Sequence, residues 1–317
     1  MIPRPRWRPS TSTLLATALL AMLAACGGGG GSTPAASGNN NAASLTQEPG
    51  APAMTGNTAT DGANWINYRR NQIGLGTLSR NGKLDAAAQG NSDYLRLNNT
   101  VSHSQTPGLA GFSGATPGDR ISSAGYPLTR PYAYGEVISA TANNSGFYQA
   151  EELITAIYHR FVLFEPLFRD IGTGAAGSSS YVYFTADMAS SGGYGAGVGK
   201  GNLALYPFNG QTRVPVNFFS DTESPDPVPG QNEVGYPISV HADLGATVSV
   251  SSFSVKPRGG LALSVRLLSK AGDADTPASA AAIIPLAVLA AGTTYDVSFS
   301  GAVDGTAVSR SWSFTTK

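Results

Sequence analysis

Residues 134–174 of this 317-residue chain read YGEVISATANNSGFYQAEELITAIYHRFVLFEPLFRDIGTG. The apolar run at 133–140 predicts a strand that carries Glu136. From Gln149 onward, apolar side chains recur at the spacing of one helical face and predict a helix with His159 near its end. These positions are Ala150, Leu153, Ile154, Ile157, Tyr158 and Phe161. The stretch therefore places one carboxylate on a strand and one of only three histidines on a neighbouring helix.

Upstream of this stretch, capping residues mark three further helices. Asp61 is the expected cap of the first helix, which Gly74 ends, and Asn81 is the expected cap of the second. Thr116 and Asp119 match a capping box that opens a third, short helix. Each signal supplies a side-chain acceptor for backbone N–H groups that a helix leaves unpaired at its start.

Downstream, the chain returns to strand patterns. Residues 181–188 are rich in Tyr, Val and Phe and predict a strand, and residues 203–206 predict the last strand of the same domain. Because helices alternate with strands that read as antiparallel, residues 61–208 are expected to form an α+β layered domain.

The C-terminal third has a different period. Apolar residues alternate with polar ones in runs separated by glycine-containing turns, so 212–317 is expected to form an all-β sandwich. The acidic, proline-rich residues 221–229 are expected to be a linker. The sandwich resembles the immunoglobulin-like or fibronectin-III-like modules of bacterial surface proteins, with Tyr295 placed to serve as a tyrosine corner. It carries no cluster of His, Asp or Cys, so a spacer or adhesion role is expected.

The N-terminus predicts export. Three arginines precede an apolar run at 14–25, which is too short to span a bilayer but suits a secretory signal. Cys26, the only cysteine, ends that run. Residues 27–60 are of low complexity and are expected to be a disordered Gly/Ser/Ala/Asn tether.

The residues 23–26, Leu-Ala-Ala-Cys, resemble the lipobox of bacterial lipoproteins. The resemblance implies lipidation of Cys26 by acyl chains such as palmitate, with residues 1–26 as the signal peptide. Gly27 follows, and by resemblance to the sorting rules of Gram-negative bacteria it implies the outer membrane. A plain signal peptide with an incidental cysteine is the alternative.

Composition excludes several classes of protein. The chain has 20 basic and 20 acidic residues and no Lys/Arg run in its mature part, so no basic face and no nucleic-acid partner are expected. One cysteine means no internal disulfide, so both domains must be stable through their cores. A monomer is expected.

The order of motifs resembles the CAP superfamily (cysteine-rich secretory, antigen 5 and pathogenesis-related proteins, also called SCP-like). The matching segments are the Ala-rich helix at 81–88, Ser102-His103, Gly135-Glu136-Val137, the His159-Arg160 run to Pro166, and 171–174. The resemblance implies an α-β-α sandwich with a cleft lined by two histidines and two acidic groups. Val137 departs from the family pattern, which has Asn there, and a short turn before His159 is missing.

Residue by residue, the resemblance implies His103, Glu136 and His159 as cleft residues and, as the fourth, Glu152 or Glu151. Two imidazoles with one or two carboxylates suit Zn²⁺ or another divalent cation, so His103, His159 and Glu136 are candidate metal ligands. The same groups are candidate catalytic residues, because a glutamate can orient a histidine that acts as a general base. The third reading is a polar cluster that only stabilises the core.

Two glycine patterns carry no chemistry. Gly172 to Gly177 matches Gly-x-Gly-x-x-Gly but leads into a strand, so it is expected to be a loop and not a dinucleotide site. Gly199-Lys200 lacks the Ser or Thr of a phosphate-binding loop. His241 lies outside the family match and is expected to be a surface or strand histidine.

The sequence as a whole predicts an outer-membrane lipoprotein that presents a CAP domain and a β module. A binding role is favoured, with an envelope polymer, a lipid or a protein as ligand. The alternatives are a metal- or His/Glu-dependent hydrolase of peptide or ester bonds, and a purely structural envelope protein.

Overall fold

The computed structural model describes residues 42–317. The predicted signal peptide, Cys26 and most of the predicted tether lie outside the described residues. The helices run over Ala42–Leu45 (α1), Thr58–Gln72 (α2), Gly82–Asn98 (α3), Pro117–Ser123 (α4), Gly146–Thr155 (α5) and Ile157–Leu163 (α6). A short 3-10 helix spans Ser220–Thr222. None of the helices in this part of the chain is both long and apolar enough to cross a bilayer.

The strands of the described residues form three four-stranded sheets and one two-stranded hairpin. Those of the first sheet are Ser79–Arg80 (β1), Ala133–Thr141 (β2), Asp170–Gly177 (β3) and Val182–Ser190 (β4). The others are Ala204–Tyr206 (β5), Gln211–Val214 (β6), Asn217–Phe219 (β7), Glu233–Gly235 (β8), Ile238–His241 (β9), Val248–Pro257 (β10), Val265–Ser269 (β11), Ala280–Pro285 (β12), Thr294–Val303 (β13) and Thr306–Thr316 (β14). The sheet orders are β1-β3-β4-β2, β10-β13-β14-β6 and β11-β12-β9-β5, with β7 and β8 paired as a hairpin.

The first sheet lies between two helical layers. Because side chains of a strand alternate between faces, neighbouring residues of β2 belong to different layers. Val137 joins the core shared with α2 and α5, whereas Ile138 packs with Tyr94 and Leu95 of α3. Glu136 has the parity of Ile138 and therefore lies on the α3 face. The layered α-β-α arrangement expected for this domain is confirmed.

Several local signals are confirmed. The Asn81 side chain accepts a hydrogen bond from Lys83 N and caps α3, and Thr116 and Asp119 form a reciprocal capping box on α4. Asp61 does not cap α2. That role belongs to Asn57, whereas Asp61 accepts hydrogen bonds from the backbone N–H groups of Thr55 and Gly56. The carboxylate thus fixes the chain before the helix.

The glycine pattern at 172–177 is a strand, and the expectation of a loop is wrong. On β3, a Cβ on Gly172 would lie 2.0 Å from the backbone carbon of Leu84, and one on Gly174 would lie 2.3 Å from Gln89 Cα. The glycines therefore allow α3 to lie directly on the sheet, which sets the position of the α3 face.

Replacing Gly172 with alanine is expected to lower the free energy of unfolding by about 2–3 kcal/mol, because the new methyl group meets backbone and not a side chain that could move. Urea denaturation would measure the change. Gly177→Ala, on the same strand with nothing within 4 Å of a new Cβ, is the matched control and should change stability by less than about 1 kcal/mol. Equal effects in both variants would contradict the close approach.

The predicted continuous helix from Gln149 is interrupted. Ala156 has extended backbone angles (φ −68°, ψ 120°) and separates α5 from α6. Ala156 offers α6 no side-chain cap. Apolar residues on both sides of the break are buried, so the apolar periodicity continues across it. The periodicity therefore does not indicate the change in backbone direction.

Part of the predicted tether is ordered. Leu45 is buried, and Glu48 forms an ion pair of 2.6 Å with the buried Arg69 of α2. Residues 45–48 therefore pack on the first domain, although the sequence predicts a disordered tether up to residue 60.

The C-terminal region is built from the two remaining four-stranded sheets and the hairpin. Both sheets contribute to one core, with Val240 and Ile283 from one and Val255 and Phe299 from the other. The Tyr295 hydroxyl accepts a hydrogen bond of 2.8 Å from Ala290 N. Whether this region is immunoglobulin-like stays a prediction.

The strand at 204–206 does not complete the first domain. β5 pairs antiparallel with β9, with Leu205 opposite Val240. Its interpretation as the last strand of 61–208 is wrong, because the alternating pattern of so short a strand does not identify its partner. The two halves of the chain are consequently joined before residue 204.

Candidate functional site

The candidate site residues fall into two histidine–carboxylate pairs. In the first, His103 Nδ1 lies 2.7 Å from Glu136 Oε1, and the two side chains are 7% and 1% exposed. Arg120 of α4 places Nη2 at 2.8 and 2.6 Å from the two oxygens of the same carboxylate. Its Nη1 donates to the carbonyl oxygens of His103 and Gly114. Arg120 thereby joins the loop that carries His103 to the strand that carries Glu136.

Asp187 is a further member of the first pair's surroundings. It is fully buried and stands opposite Glu136 in the register of β2 and β4. Among residues 42–317, neither oxygen of Asp187 has a hydrogen-bond partner. The neighbouring carboxylate is also an acceptor, so their contact is favourable only when one of the two groups holds a proton.

The surroundings decide which carboxyl group holds that proton. Burial raises the pKa of Glu136, but the hydrogen bond from His103 and the charges of Arg120 and His103 outweigh it, and the net shift is downward. Burial raises the pKa of Asp187 well above its usual value, and the negative charge of Glu136 adds to the effect. Glu136 is therefore the ionised group and Asp187 the protonated one.

Replacing Asp187 with asparagine is expected to make stability less dependent on pH. The pKa of Asp187 is higher in the folded state than in the unfolded one, so its contribution is full at acidic pH and decreases as pH rises above the usual Asp range. Asparagine keeps a donor toward Glu136 and does not titrate. In that range, the free energy of unfolding of the variant should therefore rise relative to that of the wild type by up to about 1.4 kcal/mol per pH unit.

The measurement is urea denaturation at several pH values between 4 and 8. Asp221→Asn, at an exposed position, is the control and should follow the wild-type slope. Parallel curves for Asp187→Asn and wild type would contradict a protonated Asp187.

The second pair connects the two halves of the chain. Glu223, which follows the 3-10 helix, accepts a hydrogen bond of 3.0 Å from His159 Nδ1, and its side chain is fully buried. The same carboxylate accepts from the backbone N–H groups of Ile157, Tyr158 and His159 at 2.8, 2.6 and 3.1 Å. These are the first donors of α6, so Glu223 supplies the cap that Ala156 lacks.

The predicted linker at 221–229 thus contributes Glu223 to the second pair. Around Glu223, Phe218 and Val228 pack with Ile157 and Phe161 of α6 in one apolar cluster. His159 Nε2 is buried and has no hydrogen-bond partner in the part of the chain that the structure describes. Because Glu223 engages Nδ1, it fixes the orientation of the imidazole ring.

The two pairs do not form one site. Glu136 lies on the α3 face of the sheet, whereas α6, which carries His159, packs on the other face: a Cβ on Gly135 would lie 2.6 Å from Val162 of α6. Over residues 42–317, no three His, Cys, Asp or Glu side chains are grouped so that they could hold a metal ion. The set His103, Glu136 and His159 is therefore not brought together as the metal-ligand prediction required.

The fourth predicted group is also elsewhere. Glu151 is buried and accepts hydrogen bonds from Trp65 Nε1 at 2.6 Å and from Arg69 Nε at 2.9 Å, so it belongs to the α2–α5 contact. Glu152 is half-buried on α5. The prediction that one of them completes a four-residue cleft is wrong for Glu151, because its carboxylate is engaged by Arg69.

His241 lies on β9 and is buried, not at the surface. Its ring packs against Phe161 and Phe164, and Nε2 lies 2.9 Å from Ser239 Oγ. Burial and the nearby charges of Arg160 and Arg70 lower its pKa to about 3. It is a neutral core residue between the two halves of the chain.

Three residues in or beside the pairs were not identified from the sequence: Arg120, Asp187 and Glu223. For Asp187 a signal exists, since a lone acid in the apolar run 181–188 is unusual for a buried strand. Arg120 and Glu223 have no such signal, because each reaches its partner through the fold.

Residues 63–188 match the family model for the cysteine-rich secretory protein family, CAP. The resemblance to CAP proteins is confirmed for this part of the chain. No curated protein matches the chain in sequence.

Three solved structures are similar to part of the chain. One is an extracellular protein containing an SCP domain from Bacillus anthracis strain Ames (21% identity, TM-score 0.35, covering 43% of this chain and 44% of that one). Another is an outer surface protein from Borrelia burgdorferi (17%, 0.34, 41% and 89%). The third is a cysteine-rich secretory protein from Staphylococcus aureus Mu50 (15%, 0.30, 44% and 40%). The chain spans less than half of the first and third proteins.

Proposed function

We propose that this chain is an exported, lipid-anchored protein of a bacterial cell envelope, and that it binds a ligand there without transforming it. The observation that carries the binding role is the state of the two histidine pairs. Glu136 has both oxygens engaged by Arg120 and one by His103, and all three side chains are nearly or fully buried. Groups held in this way stabilise a fold and have no free position for a substrate.

The second pair supports the same role. Glu223 has four donors and fixes α6 to the C-terminal region, so the β strands are a structural partner of the CAP domain as well as a spacer. A rigid two-part body held at the membrane by Cys26 suits presentation of a binding surface. The ligand in this proposal is an envelope polymer, a lipid or a protein.

The anchor is tested by expression of the full-length chain in a Gram-negative host. Cys26→Ser should move the protein from the outer-membrane fraction to the soluble periplasmic fraction, because the lipid carries the membrane affinity. Ser32→Ala, a few residues further along, is the control and should stay in the membrane. Retention of Cys26→Ser in the membrane would overturn lipid anchoring.

A second candidate, a hydrolase, is favoured by one observation. His159 Nε2 is buried and unpartnered, and Glu223 orients the ring through Nδ1, which is the arrangement of a general base with its orienting carboxylate. Profiling of the full chain against peptide and ester substrates would test it, with His159→Gln and Glu136→Gln as variants. If the wild type hydrolyses a substrate and His159→Gln does not, the protein is a hydrolase and the binding proposal is wrong. If the wild type hydrolyses none of the substrates, the binding proposal stands.

A further inference from the structure

An open groove at the start of α3 gathers basic side chains that are separated in the sequence. It encloses about 550 Å³, and Arg80, Lys83 and Arg169 line it together with Tyr126, Asp170 and Ser191. The parallel pairing of β1 with β3 places Arg80 beside the end of β3, where Arg169 precedes Asp170. The sequence predicts no basic face, because the basic residues of this groove are separated in the sequence and form no run.

The charges of the groove are only partly neutralised. Arg80 pairs with Asp85 at 2.5 Å, and both are substantially exposed. Lys83 and Arg169 are exposed and form no ion pair with any residue of the described part of the chain. The first turn of α3 forms one wall, and its positive end adds to the field of Lys83 and Arg169, whose two charges exceed the one negative charge of the Asp170 carboxylate in the lining.

The framework of the groove is fixed. Ser79 N donates to Arg169 O at 2.7 Å, and the Tyr126 hydroxyl donates to Asp170 Oδ2 at 2.7 Å. Ser191 Oγ accepts from Thr129 N at 3.0 Å. These bonds hold segments from β1, the loop after α4 and the loop after β4 in one position. A ligand would therefore meet cations whose backbone supports do not need to move.

The lining also restricts the kind of ligand. Tyr126 is buried, so the groove has no exposed aromatic face, and its exposed apolar surface is limited to Pro127 and the stems of the basic side chains. Ser191 and Asp170 offer polar groups that suit hydroxyls. The volume is that of a site for a small ligand and not for a protein surface.

From these observations we infer that the groove binds an anionic saccharide: a sugar unit that carries a phosphate or carboxylate group, held by Lys83 and Arg169. The ligand class specifies the binding role proposed above and rests on it for its location in the envelope. The groove is separate from both histidine pairs, so it does not require either of them.

Calorimetric titration of the full-length chain in non-ionic detergent tests the inference, with glucose 6-phosphate, glucuronate, glucose and inorganic phosphate as probes. Glucose 6-phosphate or glucuronate should bind, and glucose should not. The double variant Lys83→Gln, Arg169→Gln should weaken binding about tenfold or more, because it removes charge-assisted hydrogen bonds. The control double variant Lys256→Gln, Arg266→Gln, at exposed positions of β10 and β11, should bind as the wild type does.

The other outcomes overturn the inference in identifiable ways. Equal affinity in wild type and in the Lys83/Arg169 variant would remove the groove as the site. Inorganic phosphate that binds as tightly as the sugar phosphate would reduce it to a simple anion site. If binding to anionic phospholipid vesicles depends on Lys83 and Arg169, and binding of the sugars does not, the groove is a membrane contact. Failure of all the anions to bind, with Cys26-dependent membrane fractionation intact, would reject the groove and leave the proposed anchoring in place.

Discussion

Glu223→Ala is expected to lower the free energy of unfolding by about 3–5 kcal/mol, since a buried carboxylate with several donors is lost. The change leaves the N–H groups of Ile157, Tyr158 and His159 without their acceptor in an interior that water does not reach. It also leaves His159 Nδ1 unpaired. The expected loss is large because one carboxylate serves as both helix cap and imidazole partner.

Urea denaturation monitored by far-UV circular dichroism would measure this loss. Glu233→Ala provides the matched control: Glu233 is exposed on β8, and its carboxylate accepts only from the half-buried Asn217 side chain in the described part of the chain. The control should change stability by no more than about 0.5 kcal/mol. A loss of under 1 kcal/mol in Glu223→Ala would show that α6 does not depend on this cap.

Glu136→Ala is the second change with a large expected effect. Its removal leaves the Arg120 guanidinium, which is 0% exposed, as a buried charge without a carboxylate partner. Breaking a buried ion pair on one side costs about 3–5 kcal/mol. The carboxyl of Asp187 would remain nearby, but it would have to ionise in the same interior to replace Glu136.

A double-mutant cycle separates the pair from its surroundings. Arg120→Met with Glu136→Leu removes both charges and keeps most of the volume, so the double variant should be less destabilised than the sum of the two single variants. The free energies of unfolding of wild type, both single variants and the double variant give the coupling directly. Additive losses would mean that the contact between Arg120 and Glu136 contributes nothing.

Structure that depends on near neighbours in the chain was predictable. The capping box of Thr116 and Asp119 and the Asn81 cap follow from side chains that reach backbone donors two or three residues away. The strand at 133–141 follows from its own apolar run. The CAP resemblance likewise depends on the order of short motifs, and it located His103, Glu136 and His159.

Contacts that the fold creates were not predictable in the same way. Glu223 is 64 residues from His159, and its segment reads as an acidic linker until α6 is seen beside it. Apolar periodicity reports which side of a helix is buried, but it does not report ψ, so the break at Ala156 was missed. The strand β5 has too few residues for its pattern to identify a partner sheet.

The departures from the family pattern have a physical counterpart. The short turn that is missing before His159 is replaced by a direct break at Ala156, and the cap for the new helix comes from the C-terminal region. Val137, where the family has Asn, points into the apolar core with α2 and α5 and is fully buried. Both departures favour a fixed structural use of the histidines over an open cleft.

Zinc titration by calorimetry at neutral pH tests whether the two histidines belong to separate carboxylate pairs or to a shared metal site. Two separate pairs should give no one-to-one binding tighter than about 100 μM and the same heats for wild type, His103→Ala and His159→Ala. One-to-one binding with a Kd of about 1 μM or below, lost in both variants, would contradict it.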